Sequence, residues 1–217
     1  MNAWTDIVLL LVVLTNLLLM GHSRLVACIR TVAAQGFLLG LLLLLAQQHE
    51  LTARVALLAV GGMIVKGVVL PWLLGRAQRE AAVRREVEPF VAYTPSLLIG
   101  VAALAVSLWL GSRLPLPRPA VSSLIVPVAF FSILAGLFLI VSRKQALTQA
   151  LGYLTMENGI FIFGVALAQE HPVLFELGVL LDVFVAVFVM GITIFHISRE
   201  FDHIDTGQLS TLHDLHP

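Results

Sequence analysis

The strongest constraint on this chain is its succession of long apolar runs, set apart by short polar breaks. A bilayer core about 30 Å thick is crossed by about 20 helical residues. Seven stretches are of that order: 5–21, 25–46, 54–74, 93–111, 120–141, 146–168 and 173–197. Between the breaks each run is apolar all round, which predicts helices buried in lipid or in one another rather than amphipathic surface helices. Nothing shows the alternating dyads of an outer-membrane barrel. The expected fold is an all-α integral membrane protein, a bundle of about seven transmembrane helices.

Composition agrees. Only 12% of residues are charged, against about 25% in a soluble domain, and mean hydropathy is +0.98. Thirteen basic residues balance thirteen acidic ones, so no basic excess invites nucleic acid. Cys28 is the sole cysteine, which excludes an internal disulfide and a cysteine-held cluster. No cofactor is therefore expected in this chain. The first run has neither a basic leader nor a small-residue cleavage site, so it is expected to be retained as a helix.

Basic residues set the orientation. Arg24, Arg30, Arg76, Arg79, Arg84, Arg85, Arg143, Lys144 and Arg199 fall on one side, and Arg54, Arg113 and Arg118 on the other. The richer side is expected to be cytoplasmic, which places the N-terminus outside and the C-terminus inside. Three segments follow: four N-terminal spans over 1–119, three spans over 120–197, and a polar cytoplasmic tail over 198–217. The histidines and aspartates of that tail match no tight metal-site spacing.

Ionisable groups inside a span are costly and usually face a partner or water. Four fall within the runs: Lys66, Glu157, Glu176 and Asp182. Glu157 sits at the centre of its run, within Gly-Tyr-Leu-Thr-Met-Glu-Asn-Gly, where it either carries a proton or is neutralised by helix–helix hydrogen bonds. Asp182 is deep in the last run. Glu176, six residues earlier, lies about 240° round the helix from it and either shares in proton transfer or reaches the outer interface. His196 falls within about 40° of the Asp182 face near the cytoplasmic end, as a proton feeder or a plain interfacial histidine. Lys66 either pairs with Glu157, Asp182 or a neighbouring subunit, or snorkels past a helix break at Pro71. Asn16, Gln35, Gln149 and Asn158 are candidates for hydrogen bonds across helices or for a water chain. Gly36 and Gly40 form a GxxxG pattern suited to close packing, and Pro127 is expected to kink the fifth span.

The stretch from Leu137 to Asn158, with Val141-Ser-Arg-Lys-Gln-Ala-Leu followed by Gly152 and Asn158, resembles the three-helix K-type subunit of respiratory complex I. The C-type subunit of multisubunit cation/proton antiporters shares the pattern. With four further spans ahead of it, the whole chain resembles hydrogenase-4 component E. In register, Glu157 falls about one helical turn deeper than the K-type glutamate, whose place is taken by Leu154. The resemblance implies a non-redox membrane-arm subunit of a complex I-like hydrogenase, in a bacterial or archaeal cytoplasmic membrane. It implies that Glu157, Asp182, Lys66, Glu176 and His196 serve proton or sodium transfer beside large antiporter-like subunits. Nickel–iron and iron–sulfur centres are then expected in partner subunits. The alternative is a component of a cation/proton antiporter or a small independent carrier, although the paired repeats of a self-contained carrier are missing from the sequence.

Overall fold

A computed structural model describes residues 3–47, 52–80, 90–114 and 122–167. Its regular elements are all helices: α1 (Ala3–Gly21), α2 (Leu25–Ala46), α3 (Ala53–Ile64), a π turn (Val65–Val69), α4 (Leu70–Glu80), α5 (Tyr93–Arg113), α6 (Ile125–Ser142) and α7 (Ala146–Leu167). Five helical stretches among the described residues are long and apolar enough to cross a membrane: α1, α2, residues 55–79 across the π turn, α5 and α6. The 22-residue α7 matches them in length but carries Glu157 and Asn158. The predicted run 173–197 and the tail 198–217 lie outside the described residues.

Each helix buries the residues its spacing selects. On α1 these are Thr5, Val8, Leu9, Val12, Asn16, Leu19 and Met20, a repeat of three and four residues that forms one stripe. On α2 the stripe runs from Leu25 through Val32 and Gln35 to Leu43 and Ala46. Among the buried residues of α5 are Ser96, Gly100, Ser107 and Gly111, which keep it close to its neighbours without large side chains. The α6 helix is buried on most sides, packed against α1, α5 and α7.

In lipid the apolar effect does not drive helices together, so association rests on close packing and interhelical hydrogen bonds. Glycines supply the close packing. A Cβ on Gly152 would meet the Gly136 carbonyl oxygen and the Ile140 nitrogen, each at 2.9 Å, and one on Gly159 would lie 2.7 Å from the Ile133 nitrogen. The α6 and α7 backbones therefore touch. The Gly36–Gly40 pattern does what its spacing suggests, lying against Lys66–Gly67 and Ala59–Met63 of the third span.

Two sequence expectations about proline are corrected. The α6 helix starts at Ile125, not at residue 120, so Pro127 falls in its first turn. There a missing N–H removes no intrahelical bond and no kink follows. Pro127 instead packs its ring on Gly111 of α5. Pro71 does not break the third span either, because the helix continues to Glu80. Pro71 has no N–H to give to the preceding turn, and that turn is widened into the π segment, with the Leu70 N–H bonded to the Val65 carbonyl.

Polar contacts tie the two ends of the bundle. At the basic end the buried Arg143 guanidinium donates to the Met20 carbonyl (2.8 Å) and lies over the Tyr93 ring. The Met20 carbonyl belongs to the last turn of α1, where no helical N–H remains to meet it. At the other end the Ser122 hydroxyl donates to Asp6 of α1.

Candidate functional site

Two apolar clusters fill the bundle. One gathers Met20, Val32, Leu70, Leu74, Leu139 and Leu151 with their neighbours towards the basic end. The other gathers Val8, Leu39, Leu43, Ile125, Ile162 and Val165 with theirs towards the opposite end. Every helix that contributes to both changes character between them. Asn16 on α1, Gln35 on α2, Lys66 on the π turn, Ser132 on α6, and Glu157 with Asn158 on α7 are all buried at that level. The result is a polar layer enclosed above and below by hydrocarbon.

Lys66 and Glu157 form its charged centre. The Lys66 ammonium lies within hydrogen-bonding distance of both Glu157 carboxylate oxygens, with the two side chains 5% and 3% exposed. It also donates to Asn158 Oδ1 at 3.3 Å and lies 4.9 Å from the centroid of the Phe161 ring. The pair joins residues 91 apart in sequence, and it decides between the two expectations for Lys66: the side chain turns inward and does not snorkel. A buried ion taken alone is expensive, and each of these two supplies the other's counter-charge.

From Lys66 and Asn158 the layer continues sideways through uncharged groups. Asn158 Nδ2 donates to Gln35 Oε1 (3.1 Å), and Gln35 Nε2 donates to Asn16 Oδ1 (2.7 Å) and Thr15 Oγ1 (3.1 Å). Asn16 Nδ2 donates to Ser132 Oγ at 2.8 Å. Three of the four amides singled out from the sequence thus meet in one network. The fourth, Gln149, is elsewhere, donating to the Arg143 carbonyl in the α6–α7 turn.

Sequence reasoning missed Thr15, Ser132 and Phe161 as members of this layer. Serine and threonine in spans commonly bond their own helix, as both do here, so their residue type alone carries no signal. The burial of Arg143 was also missed, since its position reads simply as a basic loop residue. Asp182, Glu176 and His196 lie outside the described residues. Among the described residues no three His, Cys, Asp or Glu side chains gather as metal ligands would. Chemically, the layer holds one buried carboxylate that can take up or release a proton and one ammonium that can be its partner.

Comparison with curated proteins finds relatives over most of the chain. An uncharacterized protein of Mycobacterium tuberculosis is 33% identical over 203 residues, covering 93% of this chain and 92% of the relative. Hydrogenase-4 component E of Escherichia coli K12 is 30% identical over 156 residues, 71% of each chain, and the Shigella flexneri protein of that name matches equally. No family model matches the chain. No solved structure matches it.

Proposed function

The chain belongs to the hydrogenase-4 component E family, and on that premise we propose that it is a non-redox membrane subunit of a complex I-like hydrogenase or a related oxidoreductase. In this reading the subunit contributes Glu157, paired with Lys66, to proton or sodium translocation coupled to electron transfer in partner subunits. The observation that carries it is the position of that pair: a carboxylate and an ammonium buried together between two apolar clusters. A membrane protein needing only an anchor gains little from such a pair, because two apolar side chains of similar volume fill the space at no desolvation cost.

The rest of the proposal extends this centre. Seven spans cross the cytoplasmic membrane with the N-terminus outside and the C-terminus inside, as the basic residues direct. The α6–α7 pair and the following run correspond to the K-type subunit of complex I, and Asp182, Glu176 and His196 continue the transfer path from the last span. Nickel–iron and iron–sulfur centres belong to partner subunits, and the neighbours in the membrane are large antiporter-like proteins. The test is purification in mild detergent from membranes carrying a tagged copy. Co-purification of large membrane subunits together with hydrogenase activity supports the reading. Recovery of the protein as a functional lone carrier overturns it.

A further inference from the structure

The amides of the polar layer all point the same way. Ser132 Oγ donates its single proton to the Val128 carbonyl at 2.9 Å, so towards Asn16 it offers only lone pairs. The Asn16 NH2 must therefore face Ser132, which turns Asn16 Oδ1 towards Gln35. Thr15 repeats the constraint: its hydroxyl donates to the Val12 carbonyl at 2.8 Å and accepts from Gln35. Both Gln35 N–H groups are then engaged on the α1 side, and Gln35 Oε1 faces Asn158. The Asn158 NH2 meets that oxygen, which leaves Asn158 Oδ1 aimed at Lys66. Read from the other end the answer is the same, because an ammonium has only donors and accepts nothing.

We propose that Gln35, held by Asn16, Thr15 and Ser132, is a positioning residue that fixes the Asn158 carbonyl on Lys66 and so fixes the ammonium against Glu157. The inference rests on the functional reading above for its effect on translocation, but not for its effect on Lys66 itself. Each amide in the series presents its negative end towards the ammonium, so the aligned dipoles add at Lys66 in a medium that screens them little. An amide series of this kind transfers no proton along its length, since each group keeps both of its hydrogens. It is a brace for the charged pair rather than a wire.

Lys66 and Lys144 are the only lysines in the sequence, which makes the test direct. With lysine labelled by 15N at Nζ, the assembled complex gives two signals from this subunit, and Lys144→Arg assigns them. Three variants are compared with the parent in assembled complexes: Gln35→Met, Ser132→Ala and Ser132→Thr. Gln35→Met keeps the length of the side chain but frees the Asn158 amide to turn. It is expected to move the Lys66 signal and to lower translocation about fivefold or more, the change expected for one lost hydrogen bond. Ser132→Ala is expected to move the signal less, and Ser132→Thr, which keeps the hydroxyl, to restore it. The Ser132 pair decides the matter if Gln35→Met does not assemble. A Lys66 signal unmoved in assembled Gln35→Met, or moved equally by Ser132→Ala and Ser132→Thr, overturns the proposal. A signal that moves while translocation stays at the parent rate upholds the brace and contradicts the translocation role of Lys66 and Glu157.

Discussion

Gly36 of α2 lies directly against the backbone of Lys66: a Cβ there would come within 2.5 Å of the Lys66 carbonyl carbon and 2.6 Å of the Gly67 nitrogen. Both neighbours are main-chain atoms, so they cannot swing aside as a side chain would. The approach brings the π turn close enough to α2 for Gln35, one residue away, to join the layer that holds Lys66. Gly36→Ala is expected to push the π turn outward and cost about 1–3 kcal/mol of bundle stability. Thermal unfolding in detergent measures this, with Gly61→Ala as the control, because a Cβ on Gly61 meets nothing within 4 Å.

The α6–α7 crossing gives a second stability prediction. Gly152→Val places a branched side chain where the Gly136 oxygen and Ile140 nitrogen already lie at contact distance. The variant is expected to accumulate poorly in the membrane. Gly164→Ala in the same helix faces open space and is expected to accumulate normally. Quantitative blotting of membrane fractions compares the two.

Removing one member of the buried ion pair leaves the other charge uncompensated, which costs about 3–5 kcal/mol. Lys66→Met and Glu157→Leu are each expected to destabilise the bundle on that scale. The double variant is expected to recover much of the loss, because it leaves no buried ion. A double variant whose loss equals the sum of the singles would show that the two side chains do not interact. Stability to heat or to denaturing detergent, measured on all four proteins, closes the cycle.

Topology is checked by fusion reporters. One placed after Pro217 is expected in the cytoplasm, and one between Arg113 and Arg118 outside. Export of the C-terminal fusion would remove the seven-span arrangement and the assignment of the basic end.

Much of this was legible in the sequence because lipid makes length and polarity nearly sufficient to place a helix. The six predicted runs that fall among the described residues are helical, with ends shifted by a few residues. The exceptions have local causes. The fifth run starts five residues late, after the Ser122–Asp6 contact and the turn that follows it, and this turns Pro127 from a kink into a first-turn residue. The third run continues past Pro71 because a π turn absorbs the missing donor. At the site, charge and depth pointed to Lys66 and Glu157 but left three partners open for the lysine. Which one it meets depends on how the third span and α7 pack, and no residue type encodes that. Gln35, Asn16 and Asn158 stood out as amides in apolar runs, whereas the direction of their hydrogen bonds is set by Thr15 and Ser132, whose type says nothing of their location.

The account turns on Glu157 as an exchangeable carboxylate in an otherwise intact bundle. Glu157→Gln leaves Lys66 without its counter-charge but keeps the size and an oxygen that accepts from the ammonium, so it is expected to cost less than Glu157→Leu and to leave a measurable share of the subunit assembled. Glu157→Asp keeps the charge about one methylene short and is expected to retain part of the activity. The deciding measurement is ion translocation into inverted membrane vesicles during turnover of the complex, normalised to the amount of subunit incorporated. The account predicts that assembled Glu157→Gln loses most of that translocation. Translocation at the parent rate by assembled Glu157→Gln would contradict it.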